Sequence, residues 1–456
     1  LLELELPVSQ TKQTKMNRFR FPGLRTAALA LFVASSAHAQ DDLLYVFELA
    51  SSNDPVVRQA RAQYNANHTV IAENRANFLP TITLQGSTGR NTQAPTVVHS
   101  FADGFNTHSY GVNLSQNLLN FEAWYNFRSA TETDQQALAT LAAAEQQLIL
   151  RVATAYFDVL RSQDNITLLQ AQEEAALQVM DQAQQRYDLG FAEISDVYDS
   201  QAAYAQARVN RMDAENVLRQ RLQALEVITG GDHELLRTLS DDFPVLSAQP
   251  SNVEDWLALT QENNLNIRAA EHNLASTEND AKAAKAALMP TLTITANYND
   301  TAERANPYAF ISDASNSTAI TLNLNVPLFR GGANKARMER AYYTVDANRE
   351  ALARVERESL ALTRNSFNSI ETAVRTVAAR AENIEIARNA LEATEVGIEV
   401  GTRNIVDLVQ AQRTLYQALR DYANARYDYV INTLTLKQAA GTLSPQDVRD
   451  LNQWLE

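Results

Sequence analysis

Long stretches of the chain place apolar residues at alternating steps of three and four. From Leu148 the stripe runs through Val152, Ala155, Val159, Ile166, Leu169, Ala176, Met180 and Tyr187, interrupted by Ser162 and Glu173. A second stripe runs from Ile405 through Leu408, Leu415, Leu419, Tyr422, Tyr429 and Leu436. This is the seam of a coiled coil, so it predicts long helices. Two runs with almost no Gly or Pro, residues 121–189 and 333–396, are rich in Ala, Gln, Arg, Glu and Leu. At ~1.5 Å per residue each spans roughly 90 to 100 Å, far more than a globular domain uses.

Four short segments break that period and alternate strictly. Ile82 and Leu84 alternate with Thr81, Thr83 and Gln85; Tyr110, Val112 and Leu114 with Gly111, Asn113 and Ser115. The other two are Leu292, Ile294, Ala296 and Tyr298 against Thr293, Thr295 and Asn297, and Ile320, Leu322, Leu324 and Val326 against Thr321, Asn323 and Asn325. Period two predicts strands with one apolar face and one face of Thr and Asn. Each pair brackets a polar loop, residues 88–109 and 299–319, and Pro80 and Pro290 stand where strands start, a position that tolerates a missing N–H. The smallest membrane barrels need about eight strands, so several chains must share one, and three copies supply about twelve. Phe78, Tyr110, Trp124, Tyr125, Tyr298 and Phe329 lie near strand ends, where interfacial aromatics sit.

The chain repeats itself. Leu79-Pro80-Thr81-Ile82-Thr83-Leu84 returns about 210 residues later as Met289-Pro290-Thr291-Leu292-Thr293-Ile294, and residues 113–118 return as 323–328. Leu189-Gly190 and Ile194-Ser195-Asp196 are matched by Val400-Gly401 and Ile405-Val406-Asp407. This divides the chain into a first repeat over 40–230, an inter-repeat segment over 231–250, a second repeat over 251–441 and a terminal segment over 442–456. The expected fold is mainly α with a small β part, duplicated in tandem.

Residues 1–39 stand apart. Arg18, Arg20 and Arg25, the apolar run 27–34 and Ala37-His38-Ala39 have the three parts of a secretory signal, which places the mature start near Gln40. Residues 1–15 precede Met16 and are read as upstream of it. The absence of cysteine excludes disulfides and Cys lipidation, and His68, His99, His108, His233 and His272 lack ligand spacing. The net charge of −15 becomes more negative without residues 1–39, arguing against nucleic acid and anionic headgroups as partners. Nothing pairs a carboxylate with a nucleophile or base, so no enzyme, metal or cofactor is expected.

Three passages are similar to the TolC family of outer-membrane channels: residues 401–407 (Gly-Thr-Arg-Asn-Ile-Val-Asp), residues 424–432 (Asn-Ala-Arg-Tyr-Asp-Tyr-Val-Ile-Asn) and residues 153–160 (Ala-Thr-Ala-Tyr-Phe-Asp-Val-Leu). The resemblance extends over residues 41–452. It implies a homotrimer with a twelve-stranded barrel in the outer membrane lipid and a long helical tunnel through the periplasm of a Gram-negative bacterium. It also implies a periplasmic adaptor and an inner-membrane pump or ABC exporter as partners. The implied function is an exit duct for tripartite drug efflux and type I protein secretion, gated at its periplasmic tip.

The residues themselves mark that tip. Leu189-Gly190-Phe191 and Val400-Gly401-Thr402 fall where the long helices must reverse, and Gly supplies the left-handed residue that ends a helix. The resemblance makes these turns the adaptor-docking sites, with Phe191 standing in place of the usual Leu. It also makes Asp407 part of an acidic pore ring, alongside its local role near a helix start capped by Asn404. Arg403 is similar to an aperture arginine bonding across to the Ser195 and Asp196 positions on a neighbouring helix. Ile398 stands where the family has a tyrosine, and Gln410 where it has a second pore aspartate, implying fewer polar ties and a weaker ring. The competing reading is a periplasmic coiled-coil adaptor or scaffold without a pore. That reading needs one hairpin flanked by compact β modules, whereas here the hairpin is duplicated.

Overall fold

The computed structural model describes residues 41–91, 105–304 and 314–456. The expected signal, residues 1–39, and His99 lie outside them, as do the centres of both polar loops. In chain order the elements are α1 (Leu43–Asn53), α2 (Pro55–Ala76), β1 (Thr81–Asn91), β2 (Phe105–Leu119), α3 (Phe121–Asp188) and α4 (Ile194–Thr229). The second half follows with α5 (Val253–Asn263), α6 (Leu265–Ala286), β3 (Thr291–Arg304), β4 (Ala314–Asn325), α7 (Ala333–Glu399), α8 (Ile405–Ala439) and α9 (Pro445–Asn452). The same succession of elements occurs in both halves: helix pair, strand pair, long helix, return helix.

Local chemistry starts these helices. Asp42, Asp54, Asn120, Asn252, Asn264 and Asn404 each cap a helix N-terminus by accepting a backbone N–H. α3 and α7 run 68 and 67 residues, so the helical length expected from composition is realised.

All four strands form one antiparallel sheet in the order β1-β2-β3-β4. The strands reach farther into the polar loops than alternation alone predicts. Side-chain bonds support the extension: Ser87 and Ser109 share a hydroxyl bond at 2.7 Å, and Thr88 meets His108 Nδ1 at 3.0 Å. Alternation fails to reveal these rungs because both faces are polar there.

The register sorts the two faces. Ile82 pairs with Leu114, Leu114 with Ala296, and Leu292 with Leu324 on one face; Thr83 pairs with Asn113 and Asn113 with Asn297 on the other. The apolar face is uncovered: Leu84 is 79% exposed and Ile320 74%. No helix among the described residues is long and apolar enough to cross a membrane, which leaves the strands unaffected. Beneath the sheet α2 packs on α3, α3 on α6 and α6 on α7, the same order as the strands they join.

The core sits midway along α3. Leu148, Val152, Tyr156, Phe157, Val159 and Leu160 are buried there against Val46 of α1, Leu225 of α4 and Val430 and Leu436 of α8. The Tyr156 hydroxyl donates to the Arg237 carbonyl at 2.8 Å, and the Phe157 and Tyr427 rings lie 5.6 Å apart. Residues 238–240 pair with the chain end, Thr238 N–H donating to Glu456 O at 3.0 Å and Ser240 N–H to Trp454 O at 2.8 Å. The expected seam is buried or half-buried from Leu148 to Ala176 and again at Ala183, but Val179 is buried beside it and Tyr187 at its end is exposed.

Candidate functional site

The site expected from sequence lies at the two turns between long helices. α3 ends at Leu189-Gly190-Phe191, with Gly190 at φ 78°; Gly190 N–H donates to Tyr187 O and Phe191 N–H to Arg186 O, both at 2.8 Å. α7 ends the same way at Val400-Gly401-Thr402, with Gly401 at φ 75° and Thr402 N–H on Gly397 O at 2.8 Å. These bonds satisfy carbonyls that the last helical turn leaves free. Leu189, Phe191 and Val400 are 71%, 75% and 69% exposed, so each turn presents an apolar side chain to whatever meets it.

Carboxylates three residues into the return helices close the turns. Asp196 accepts from Glu193 N–H at 3.4 Å, and Ser195 Oγ donates to Glu193 Oε2 at 3.3 Å. In the second turn Asn404 Oδ1 accepts from Asp407 N–H at 2.9 Å, and Asp407 Oδ2 accepts from Asn404 N–H at 3.3 Å. The helix-start role expected for Asp407 is thus formed. Gln410, one turn on, is exposed, and its carbonyl accepts from Thr414 Oγ1 at 2.9 Å.

Arg403 has a different neighbour from the one the resemblance implies. Its Nη1 lies 3.8 Å from Asp407 in the return helix that follows its own turn, whereas Ser195 and Asp196 bond within theirs. Among the described residues of one chain, Arg403 is not joined to them. Two features escaped the sequence reading. Gly397 makes room for the Arg403 stem, since a Cβ there would lie 2.6 Å from Arg403 Cγ. Ile398 packs with Leu391 and Val409 around buried Val179 and Leu408, an apolar contact joining α3, α7 and α8. A lone Gly before the turn was the only sequence signal for the first; the second needed the helices side by side.

The four described histidines are placed by carboxylates or hydroxyls. His68 lies 2.9 Å from Asp134, His272 2.9 Å from Glu132, and His108 touches Thr88. Buried His233 bridges Asp41 at 2.7 Å and Thr229 at 2.9 Å, an order that looks like a nucleophile relay. Thr229 is fully buried, and its hydroxyl also bonds the Leu225 carbonyl at 3.1 Å, so no substrate reaches it. Among the described residues no group of three or more His, Cys, Asp or Glu is placed to hold a metal ion.

A one-faced strand sheet continued by two long helical hairpins defines a wall segment of a membrane duct. The chain belongs to the outer membrane efflux protein family, whose sequence profile matches residues 46–231 and 256–442. It is 34% identical to the outer membrane protein TolC of Vibrio cholerae over 94% of this chain and 97% of that protein. The alkaline protease secretion protein AprF of Pseudomonas aeruginosa is 25% identical over 89% of this chain and 85% of its own length. Among solved structures, the outer membrane protein VceC of Vibrio cholerae shares the fold at a TM-score of 0.75 and 16% identity, covering 88% of this chain and 96% of that one.

Proposed function

We propose that three copies of this chain form an outer-membrane channel of a Gram-negative bacterium, the exit duct of tripartite drug efflux and type I protein secretion. The observation that carries this is the sheet: its apolar face is uncovered, the outer edges of β1 and β4 are unpaired among the described residues, and four strands are too few to close. Closure with neighbours leaves apolar side chains toward lipid and the Thr and Asn face toward a lumen. Residues 40–230 and 251–441 each supply one hairpin and two strands, with 231–250 and 442–456 forming an equatorial segment.

At the tip, the exposed Leu189, Phe191 and Val400 beside Gly190, Gly401 and Thr402 are docking points for a periplasmic adaptor, which links the duct to an inner-membrane pump or ABC exporter. Three Asp407 carboxylates form the acidic ring, with Gln410 contributing polarity without charge. The lock combines Arg403 with the Ser195 and Asp196 positions of a neighbour, and Ile398 adds an apolar tie. A periplasmic adaptor or poreless scaffold accounts for neither the duplication nor the one-faced strands.

The test is purification from outer membranes followed by planar-bilayer recording. Heat-resistant trimers with cation-selective conductance support the channel; a water-soluble monomer with no affinity for lipid removes it.

A further inference from the structure

Arginines gather where α3, α4 and α8 run side by side. Two adjoining recesses open there, about 220 and 200 Å³ in volume, and Asn165 and Arg420 line both. Together they reach the size range of small-molecule sites. Arg161 of α3, Arg221 of α4 and Arg420 of α8 line the first, and Arg413 of α8 lines the second. Among the described residues Asp158 is the only carboxylate lining either recess, so four guanidiniums stand against one acid. In a chain of net charge −15 that local excess runs against the overall balance.

The nearby carboxylates leave much of this charge unspent. Asp158 lies 3.3 Å from Arg221. Asp428 accepts from Arg161 Nη2 at 2.6 Å, and Asp421 lies 3.1 Å from Arg380 and 3.8 Å from Arg420. Asp421 and Asp428, however, line a separate groove between α7 and α8. Arg413 is exposed and makes no ion pair among the described residues. Arg161 also has an unmet donor: its Nε is buried without a hydrogen-bond partner, the single side-chain atom so placed among the described residues. A buried N–H lacking an acceptor is costly, and an oxyanion in the groove supplies one after a small turn of the guanidinium.

The groove has length as well as charge. Its walls run over residues 158–172 of α3, 210–221 of α4 and 413–424 of α8, roughly 16 to 20 Å at ~1.5 Å per residue. Arg413 and Arg420 stand two helical turns apart, about 10 Å. Leu168, Leu169 and Tyr416 give the stretch around them apolar walls, and half-open Val217 does the same nearer Arg161.

We infer that this groove binds an elongated organic dicarboxylate. One carboxylate is held by Arg161, Arg221 and Arg420, the apolar body lies along Leu168, Leu169 and Tyr416, and the second carboxylate reaches Arg413. Planar guanidinium forks match carboxylate geometry. One acid among four arginines leaves three net positive charges spread over both ends, which balances two singly charged groups better than two doubly charged phosphates. All the walls belong to one chain, so the site does not depend on the shared-barrel reading of the sheet.

The test is isothermal titration calorimetry at low salt on the full-length protein in zwitterionic lipid discs. The probes are naphthalene-2,6-dicarboxylate, naphthalene-2-carboxylate and inorganic phosphate. The dicarboxylate is expected to bind about tenfold more tightly than the monocarboxylate. Absence of dicarboxylate binding, or phosphate binding as tightly, overturns the assignment. Arg413→Gln should bring the dicarboxylate down to the affinity of the monocarboxylate and leave the latter unchanged, whereas Arg420→Gln should weaken both about tenfold. Arg388→Gln, an exposed position on α7 outside the groove, should alter neither. Affinities that survive Arg413→Gln and Arg420→Gln, or that fall equally in Arg388→Gln, overturn the site. Should an arginine variant fail to assemble, Val217→Trp fills the groove from an exposed position without removing a charge. Loss of dicarboxylate binding in that variant supports the site, and undiminished binding overturns it.

Discussion

Arg151 grips Asp54 at two points, Nη1 to Oδ1 at 3.2 Å and Nη2 to Oδ2 at 2.8 Å. The same carboxylate accepts from Val57 N–H at 2.8 Å, so one buried side chain both starts α2 and ties it to α3. Removing one partner of a buried pair leaves the other uncompensated. Asp54→Ala is expected to cost about 3 to 5 kcal/mol, read as a lower unfolding midpoint in denaturant. A change within error would mean that Arg151, 28% exposed, is satisfied by water.

The turn glycines make a backbone prediction. Gly190 and Gly401 have positive φ and open space where a Cβ would be, so Ala at either position meets strain without a clash. Each substitution is expected to cost about 1 to 2 kcal/mol of local stability, read as faster amide exchange over the last turn of α3 or α7. Unchanged exchange rates would refute this.

Conductance tests the tip. If Arg403 and Asp196 form the proposed lock, Arg403→Ala and Asp196→Ala raise the conductance of the purified channel. Gly397→Ala should act in the same direction, because its methyl displaces the Arg403 stem. If all three variants conduct like the unmutated channel, these residues do not hold the gate.

Asp407 and Arg403 should move cation block in opposite directions. Asp407→Asn removes the carboxylate and weakens block by multivalent cations, whereas Arg403→Ala frees that carboxylate from its 3.8 Å neighbour and strengthens it. Equal block in both variants would remove Asp407 from the proposed acidic ring.

Asp164 carries a pH prediction. Burial pushes its carboxyl above the ordinary 3.8, against the Tyr427 hydroxyl bond and the Arg426 charge, which pull it down. The folded state then binds this proton more tightly than the unfolded chain, so ionised Asp164 destabilises the fold at neutral pH. That cost is relieved as pH falls from above the raised value towards 3.8. Asp164→Asn should flatten the thermal midpoint over this window, and an unchanged slope would assign the dependence to other groups.

What the sequence by itself determined was everything carried by short-range periodicity: long helices from a three-four stripe, strands from alternation, reversals at Gly190 and Gly401, and a duplication visible as repeated words. The helix-start role of Asp407 was legible too, because Asn404 is only three residues away. Tertiary structure decided which distant groups meet. It set Arg403 beside Asp407, used Gly397 to seat the arginine stem, packed Ile398 near Val179, and joined Asp54 to Arg151. Those pairings depend on how helices lie against one another over tens of residues, and a stripe specifies a buried face without naming the side chain opposite. The unpaired edges of β1 and β4 emerged the same way, since strand order is a property of the assembled sheet.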